Sequence, residues 1–191
     1  MPKLGMEPIR REALVRATIA ELGAAGTLDV TVSQIARRAG VSSALAHHYF
    51  GGKDQIFLAA MRRILADFGA DVRHELRASR PRLRAEAIVR ACFSGSSFTA
   101  EAVGAWMCFY VLAQSNAEAL RLWQIYHLRL RSNLIHALRP VCSAPEVAAD
   151  TLGALIDGLY IRAALDPGLS PAQAEQQALS VLNNLCARPQ A

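Results

Sequence analysis

Residues 31 to 50, TVSQIARRAGVSSALAHHYF, constrain this chain more than any other stretch, because they read as two short helices separated by a sharp turn. The hydroxyl of Thr31 can cap a helix, and Gln34, three residues on, completes the reciprocal capping pattern. Val32, Ile35, Ala36 and Ala39 form one apolar stripe at helical spacing. Gly40 then stops the helix, since glycine tolerates the positive φ required there. Val41 can plug the angle between the helices, and Ser42 is placed to cap a second helix through Ser43, Leu45, Ala46, His47 and His48. Such a hairpin is either a helix-turn-helix, whose second helix enters a DNA major groove, or plain core packing. The residues of the hairpin alone leave both open.

The remaining chain reads as helix throughout. Glu7 and Pro8 open a helix to about Ala25, with Pro8 in the first turn and an inward stripe of Ile9, Leu14, Ala17, Thr18, Ala20, Glu21 and Leu22. Arg10, Arg11 and Arg16 lie in its first half, either as a solvated face or as phosphate contacts at the leading end. Lys53 and Asp54 begin a long helix with apolar positions Ile56, Phe57, Ala60, Met61, Ile64, Leu65, Phe68, Val72 and Leu76. Pro81 begins another helix, SGSS at 94 to 97 interrupts it, and residues 99 to about 114 carry the next. Asn116 caps a helix over 117 to 139, Pro145 to Leu165 is apolar on more than one face, DPGLSP at 166 to 171 is a loop, and residues 171 to 187 form the last helix. The expectation is an all-α fold of about nine helices. A three-helix DNA-binding domain would occupy residues 1–52, and a helical ligand-binding and dimerisation domain residues 53–191.

A 191-residue chain that is 52% hydrophobic has the apolar content for a packed core, which excludes a disordered or collagen-like polymer. Its formal charge of +5 permits a polyanionic partner. Cys92, Cys108, Cys142 and Cys186 are widely spaced among apolar residues and form no CxxC pair, the usage of buried thiols in a reduced compartment. The N-terminus lacks an apolar signal core, and no run of about 18 apolar residues suits a membrane. A soluble cytoplasmic protein is expected, with no metal and no cofactor.

From Thr31 to Phe57 the chain resembles the tetracycline-repressor family of transcriptional regulators. The resemblance lies in the apolar residues of the first helix, Gly40 and Val41 at the turn, Ser42, and the HYF of residues 48 to 50 followed by Lys53. Further on, AWMCFY at 105 to 110, LRLRSNLIHALR at 128 to 139 and ALIDGLYIRAAL at 154 to 165 resemble, in order, that family's choline-responsive repressors of glycine betaine synthesis. The resemblance implies a recognition helix over residues 42 to 49, with Ser42, Ser43, Leu45, His47, His48 and Tyr49 nearest DNA. Lys53 would meet a phosphate at a helix start, and Thr31 and Gln34 would approach the backbone. Ala46 and Phe50 read as packing residues.

The resemblance also implies a small-molecule inducer, with choline as the named expectation. A quaternary ammonium offers no N–H, so aromatic faces and a carboxylate recognise it. The chain supplies Trp106, Phe109, Tyr110, Trp123, Tyr126 and Tyr160, with Asp157 as a lone acid; Trp106 and Tyr110 share one helical face, as do Asp157 and Tyr160. An aromatic stripe is equally the signature of a core.

Small and apolar residues on the last two helices suit a four-helix contact between two subunits: Leu152, Leu155, Ile156 and Leu159 on one, Ala174, Ala178, Val181, Leu182 and Leu185 on the other. The same residues could complete one protomer's core. A homodimer would read two half-sites of double-stranded operator DNA. Two rival classes are a helical interaction module and an enzyme built from His47, His48, His127, His136 and Asp157, and no HExxH, GxSxG or phosphate-cradling glycine loop supports the enzyme. The helix from Lys53 to Arg77 reads as the only covalent route between the two domains, and so as the lever.

Overall fold

A computed structural model of the protein describes residues 5–80, 83–95, 97–166 and 168–187. Among these residues there are nine helices and no strand: α1 (Met6–Ala25), α2 (Val32–Arg38), α3 (Ser43–Phe50), α4 (Lys53–Ala78), α5 (Arg84–Cys92), α6 (Ala100–Ser115), α7 (Ala117–Leu138), α8 (Pro145–Leu165) and α9 (Pro171–Cys186). The helical start expected at Pro81 lies outside the described residues, as do Ser96 of the SGSS break and Pro167 of the DPGLSP loop.

Local chemistry accounts for the boundaries. Gly26 takes φ 62° and closes α1 by donating its N–H to the Leu22 carbonyl. Asn116 caps α7, its Oδ1 accepting from the N–H groups of Glu118 and Ala119 at 3.0 Å each. Ser170 and Gln173 form a reciprocal capping box that opens α9.

The helices fall into two compact units. One contains the chain up to Ile64 together with Ala100–Leu120; the other contains Leu65–Thr99 and the chain from Arg121 onward. α4 therefore supplies its first half to one unit and its second half to the other. The chain passes between the units three times, so α4 is not their only covalent link: α6 belongs with the N-terminal helices.

In the first unit α6 lies against α1, and two glycines set that approach. A Cβ on Gly104 would sit 2.7 Å from the Gly23 carbonyl oxygen, and one on Gly23 would run into the Glu101 backbone. Leu14, Leu22, Ile35, Ile56 and Phe57 fill the interior, while Arg63 pairs with Glu12 and Arg62 with Glu118. Ile9, placed by its spacing on the inward stripe of α1, is instead 61% exposed.

In the second unit α9 packs on α5 and α8 around Ile88, Leu152, Ile156 and Leu182. Tyr160 of α8 closes one end, its hydroxyl 2.6 Å from the Cys92 carbonyl and 3.1 Å from that of Ser97, and its ring edge-on to Phe98. All four cysteines are free thiols. Burial pushes Cys92 and Cys108 above the ordinary thiol range, and burial together with the neighbouring Cys142 holds Cys186 up at about 12. These are small apolar residues rather than thiolate nucleophiles. No helix among the described residues is long and apolar enough to cross a membrane.

Candidate nucleic-acid interface and ligand cleft

The turn between α2 and α3 begins with two backbone hydrogen bonds. Val41 N–H donates to the Ala36 carbonyl at 3.0 Å and Gly40 N–H to that of Arg37 at 3.2 Å, the paired bonds of a Schellman ending, with Gly40 at φ 68°. Thr31 and Gln34 are tied into their capping box: Thr31 N–H donates to Gln34 Oε1 at 2.7 Å, and Gln34 N–H to Thr31 Oγ1 at 3.2 Å. Ser42 Oγ accepts from Leu45 N–H at 3.2 Å and so starts α3. The hydroxyls of Ser43 and Ser33 meet at 3.2 Å and fasten the two helices together.

These bonds orient α3. Ala46 is 1% exposed and faces the first unit's interior, whereas His47 and His48 are exposed, and Leu45 and Tyr49 half-buried. The His48 and Tyr49 rings stack at a tilt, 5.6 Å apart. Arg11 braces the end of the helix, with its guanidinium 4.8 Å from the Phe50 ring centre and 5.8 Å from that of Tyr49. Lys53 is half-buried at the start of α4, its Nζ 5.5 Å from the centre of the Phe57 ring.

Charge pairing divides the arginines near this surface. Arg16 is held by Glu12 at 2.8 Å and Arg38 by Glu21 at 3.1 Å. Among the described residues no ion pair engages Arg10, Arg37 or Lys53. Sequence reasoning passed over Arg37; the signal was the Arg37–Arg38 doublet, of which only the second has an acid to meet. An exposed, twice-capped short helix flanked by such cations has the shape and charge to enter a DNA groove while phosphates are held beside it.

The residues expected to hold an inducer fall into two sets. Trp106, Phe109 and Tyr110 cluster on α6 in the first unit, with Trp106 5.4 Å from Phe109 and 5.8 Å from Tyr110 between ring centres. Trp123, Tyr126, Asp157 and Tyr160 belong to the second unit. There the rings run in series: Trp123 to His127 at 4.1 Å, His127 to Tyr126 at 5.1 Å, and Tyr126 to Phe68 at 5.4 Å. His127 was missed as a ligand-facing residue, although it lies one turn after Trp123 on the same helical face.

A cleft of about 580 Å³ opens between α7 and α8, lined in part by Trp123, His127, Arg131, Asp150, Gly153 and Asp157. Two of its nitrogens, Trp123 Nε1 and His127 Nε2, are buried and have no hydrogen-bond partner among the described residues. His127 Nε2 lies 3.7 Å from Asp157 Oδ2, beyond hydrogen-bond reach. Burial lowers the His127 pKa more than the Asp157 carboxylate raises it, so the imidazole is neutral at pH 7. At the rim Arg131 grips Asp150 through two bonds of 2.5 and 3.1 Å, which holds the Asp150 carboxyl below its ordinary range.

On α8 and α9 the expected interface residues divide by burial. Leu152, Ile156, Leu159, Ala174, Ala178 and Leu182 are buried within one protomer; Leu155, Val181 and Leu185 are half-buried. The exposed large apolar residues of α8 are Val147 at 63%, Ile161 at 47% and Leu165 at 80%. Among the described residues no group of acids, histidines and cysteines could hold a metal ion.

Comparison with known proteins matches both parts of the chain. Residues 14–60 fit the profile of bacterial regulatory proteins of the tetR family, and residues 81–187 that of the C-terminal region of BetI-type transcriptional repressors. The HTH-type transcriptional regulator BetI of Brucella anthropi is 51% identical over 168 residues, covering 86% of this chain and 87% of that protein. BetI of Agrobacterium fabrum is 52% identical over 168 residues, covering 86% and 82%. Among solved structures, a transcriptional regulator from Pseudomonas aeruginosa PAO1 superposes with a TM-score of 0.80 at 27% identity, covering 96% of this chain and 92% of that one. A regulator from Saccharomonospora viridis in complex with choline gives a TM-score of 0.80 at 20% identity, covering 95% and 100%, a likeness of fold.

Proposed function

The chain belongs to the tetR family of bacterial regulatory proteins, and on that premise we propose that it is a homodimeric repressor of choline-to-glycine-betaine genes, released from its operator by choline. The observation that carries the DNA-binding surface is α3 itself: capped at Ser42, fastened to α2 through Ser43 and Ser33, and exposed at His47 and His48. Ser43, Leu45, His47, His48 and Tyr49 face the bases and their edges, while Thr31, Gln34, Ser42 and Lys53 approach phosphates, joined by Arg10 and Arg37. Two copies of so short a helix on a symmetric dimer read two half-sites. Leu155, Val181 and Leu185, with the exposed Val147, Ile161 and Leu165, are the surface left for the second copy.

Choline as the inducer is supported by the BetI name of the relatives at 51 and 52% identity, and by the choline held in the Saccharomonospora viridis neighbour. Binding in the second unit favours a subunit arrangement in which the recognition helices no longer match successive grooves, at a coupling of about 1–3 kcal/mol. A repressor responding to a different cationic or apolar ligand is the alternative, favoured if choline leaves duplex affinity unchanged.

Selection from a random duplex library should return a two-fold symmetric site. Lys53→Ala should weaken binding to that site about equally for all sequences and reduce its salt dependence, with a slope smaller by about one per subunit. Tyr49→Ala should weaken the selected site most. Unchanged duplex affinity in both variants, with the dimer intact by light scattering, would overturn the assignment of this surface.

A further inference from the structure

Two residues that line the α7–α8 cleft, Trp123 and His127, carry buried nitrogens that the protein itself leaves unanswered, and their chemistry restricts what fits there. Trp123 Nε1–H can only donate. The Asp157 carboxylate 3.7 Å from His127 Nε2 favours the neutral tautomer with its proton on that nitrogen, so Nε2 is a donor as well. A ligand oxygen that answers both must accept two hydrogen bonds, which a hydroxyl with its two lone pairs does and a bare quaternary ammonium cannot. Charge points to the rest of the ligand. Arg131 and Asp150 neutralise one another at the rim, and Asp157 adds negative charge beside the His127 ring. The indole of Trp123 adds a π face to the same cleft. Its volume, about 580 Å³, lies within the roughly 300–1,000 Å³ of small-molecule sites.

We propose that this cleft is the inducer site and reads both ends of a hydroxylated cation: Trp123 Nε1 and His127 Nε2 hold the hydroxyl, and Asp157 with the Trp123 ring holds the ammonium. The inference rests on the choline reading of the function and extends it. The cleft selects for the hydroxyl, not merely for a quaternary ammonium, and it disfavours the zwitterion glycine betaine, whose carboxylate is repelled by Asp157.

Calorimetric titration of the intact dimer with choline, tetramethylammonium and glycine betaine tests this, with melting curves as a check of folding. Choline should bind about tenfold more tightly than tetramethylammonium, with glycine betaine weakest. Trp123→Phe keeps the ring and removes the N–H; it should cost choline about tenfold and leave tetramethylammonium within about twofold. Asp157→Asn should weaken both cations. A Cβ at Gly153 meets nothing within 4 Å, so Gly153→Leu should fold and fill the cleft, abolishing binding of both cations. Choline binding that survives Gly153→Leu and Trp123→Phe would overturn the site and leave the choline response standing. Equal affinity of the wild type for choline and tetramethylammonium would overturn the hydroxyl reading. A wild-type dimer that binds its selected duplex and gives neither heat nor a melting shift with choline would overturn the choline response and this inference together.

Discussion

Two helix pairs in this protein carry glycine at or beside their contact and come out opposite. At the α1–α6 crossing, Gly23 and Gly104 let the backbones touch, with the Gly23 carbonyl 2.7 Å from where a Cβ of residue 104 would stand. At the α7–α8 cleft, Gly153 faces open space and the helices are joined by the Arg131–Asp150 pair at the rim of a cavity of about 580 Å³. One pair is closed and makes α6 part of the N-terminal unit. The other is held open, with unanswered polar atoms on two of the residues that line it, a state that costs stability. The same residue type serves contact in one place and access in the other, and the neighbours decide which.

Adding one methyl group to each pair should separate them. Gly104→Ala or Gly23→Ala forces backbone against backbone and should destabilise the fold by about 1–3 kcal/mol, seen as a lower denaturation midpoint. A midpoint unchanged by Gly104→Ala would mean that the crossing is not close-packed. Gly153→Ala should act in the other direction, stabilising by about 0.5–1 kcal/mol, because alanine restricts the unfolded chain more than glycine and the added Cβ meets nothing. A loss of stability there would show that the cleft is closed in solution.

The smallest effect expected is on pH dependence. His127 has its pKa lowered by burial from the ordinary 6.5, with Asp157 opposing the shift. The unfolded chain therefore binds the proton more readily. The stability contributed by a neutral His127 is fully present above about pH 6.5 and is lost as the pH falls through the lower folded value. The melting temperature should fall on acidification below pH 6.5, and His127→Gln should flatten that part of the curve. An unchanged slope in the variant would place the acid sensitivity elsewhere.

How much of this was legible in the sequence depended on how local the cause was. The capping box of Thr31 and Gln34, the positive φ at Gly40, the Ser42 cap and the limits of α8 follow from residues within one or two turns of each other, and the structure has them all. Where the reading failed, the cause was distant. Ile9 sits at an inward spacing on α1 but is left mostly exposed among the described residues. Arg11, read as a surface charge or a phosphate contact, stacks on Phe50 of a different helix.

By itself, then, the sequence determined about nine helices, the caps at Thr31, Gly40, Ser42 and Asn116 and the turn that presents α3, because hydrogen-bonding competition and a 3.6-residue period are properties of short segments. Only the tertiary structure decided that α6 joins the first unit, that Tyr160 turns its hydroxyl to Cys92 and Ser97, and that Trp123 and His127 face a cleft with their nitrogens unmatched. Those outcomes depend on which helix faces are brought together and how closely. The small residues that set such distances, Gly23, Gly104 and Gly153, look alike until their neighbours are in place.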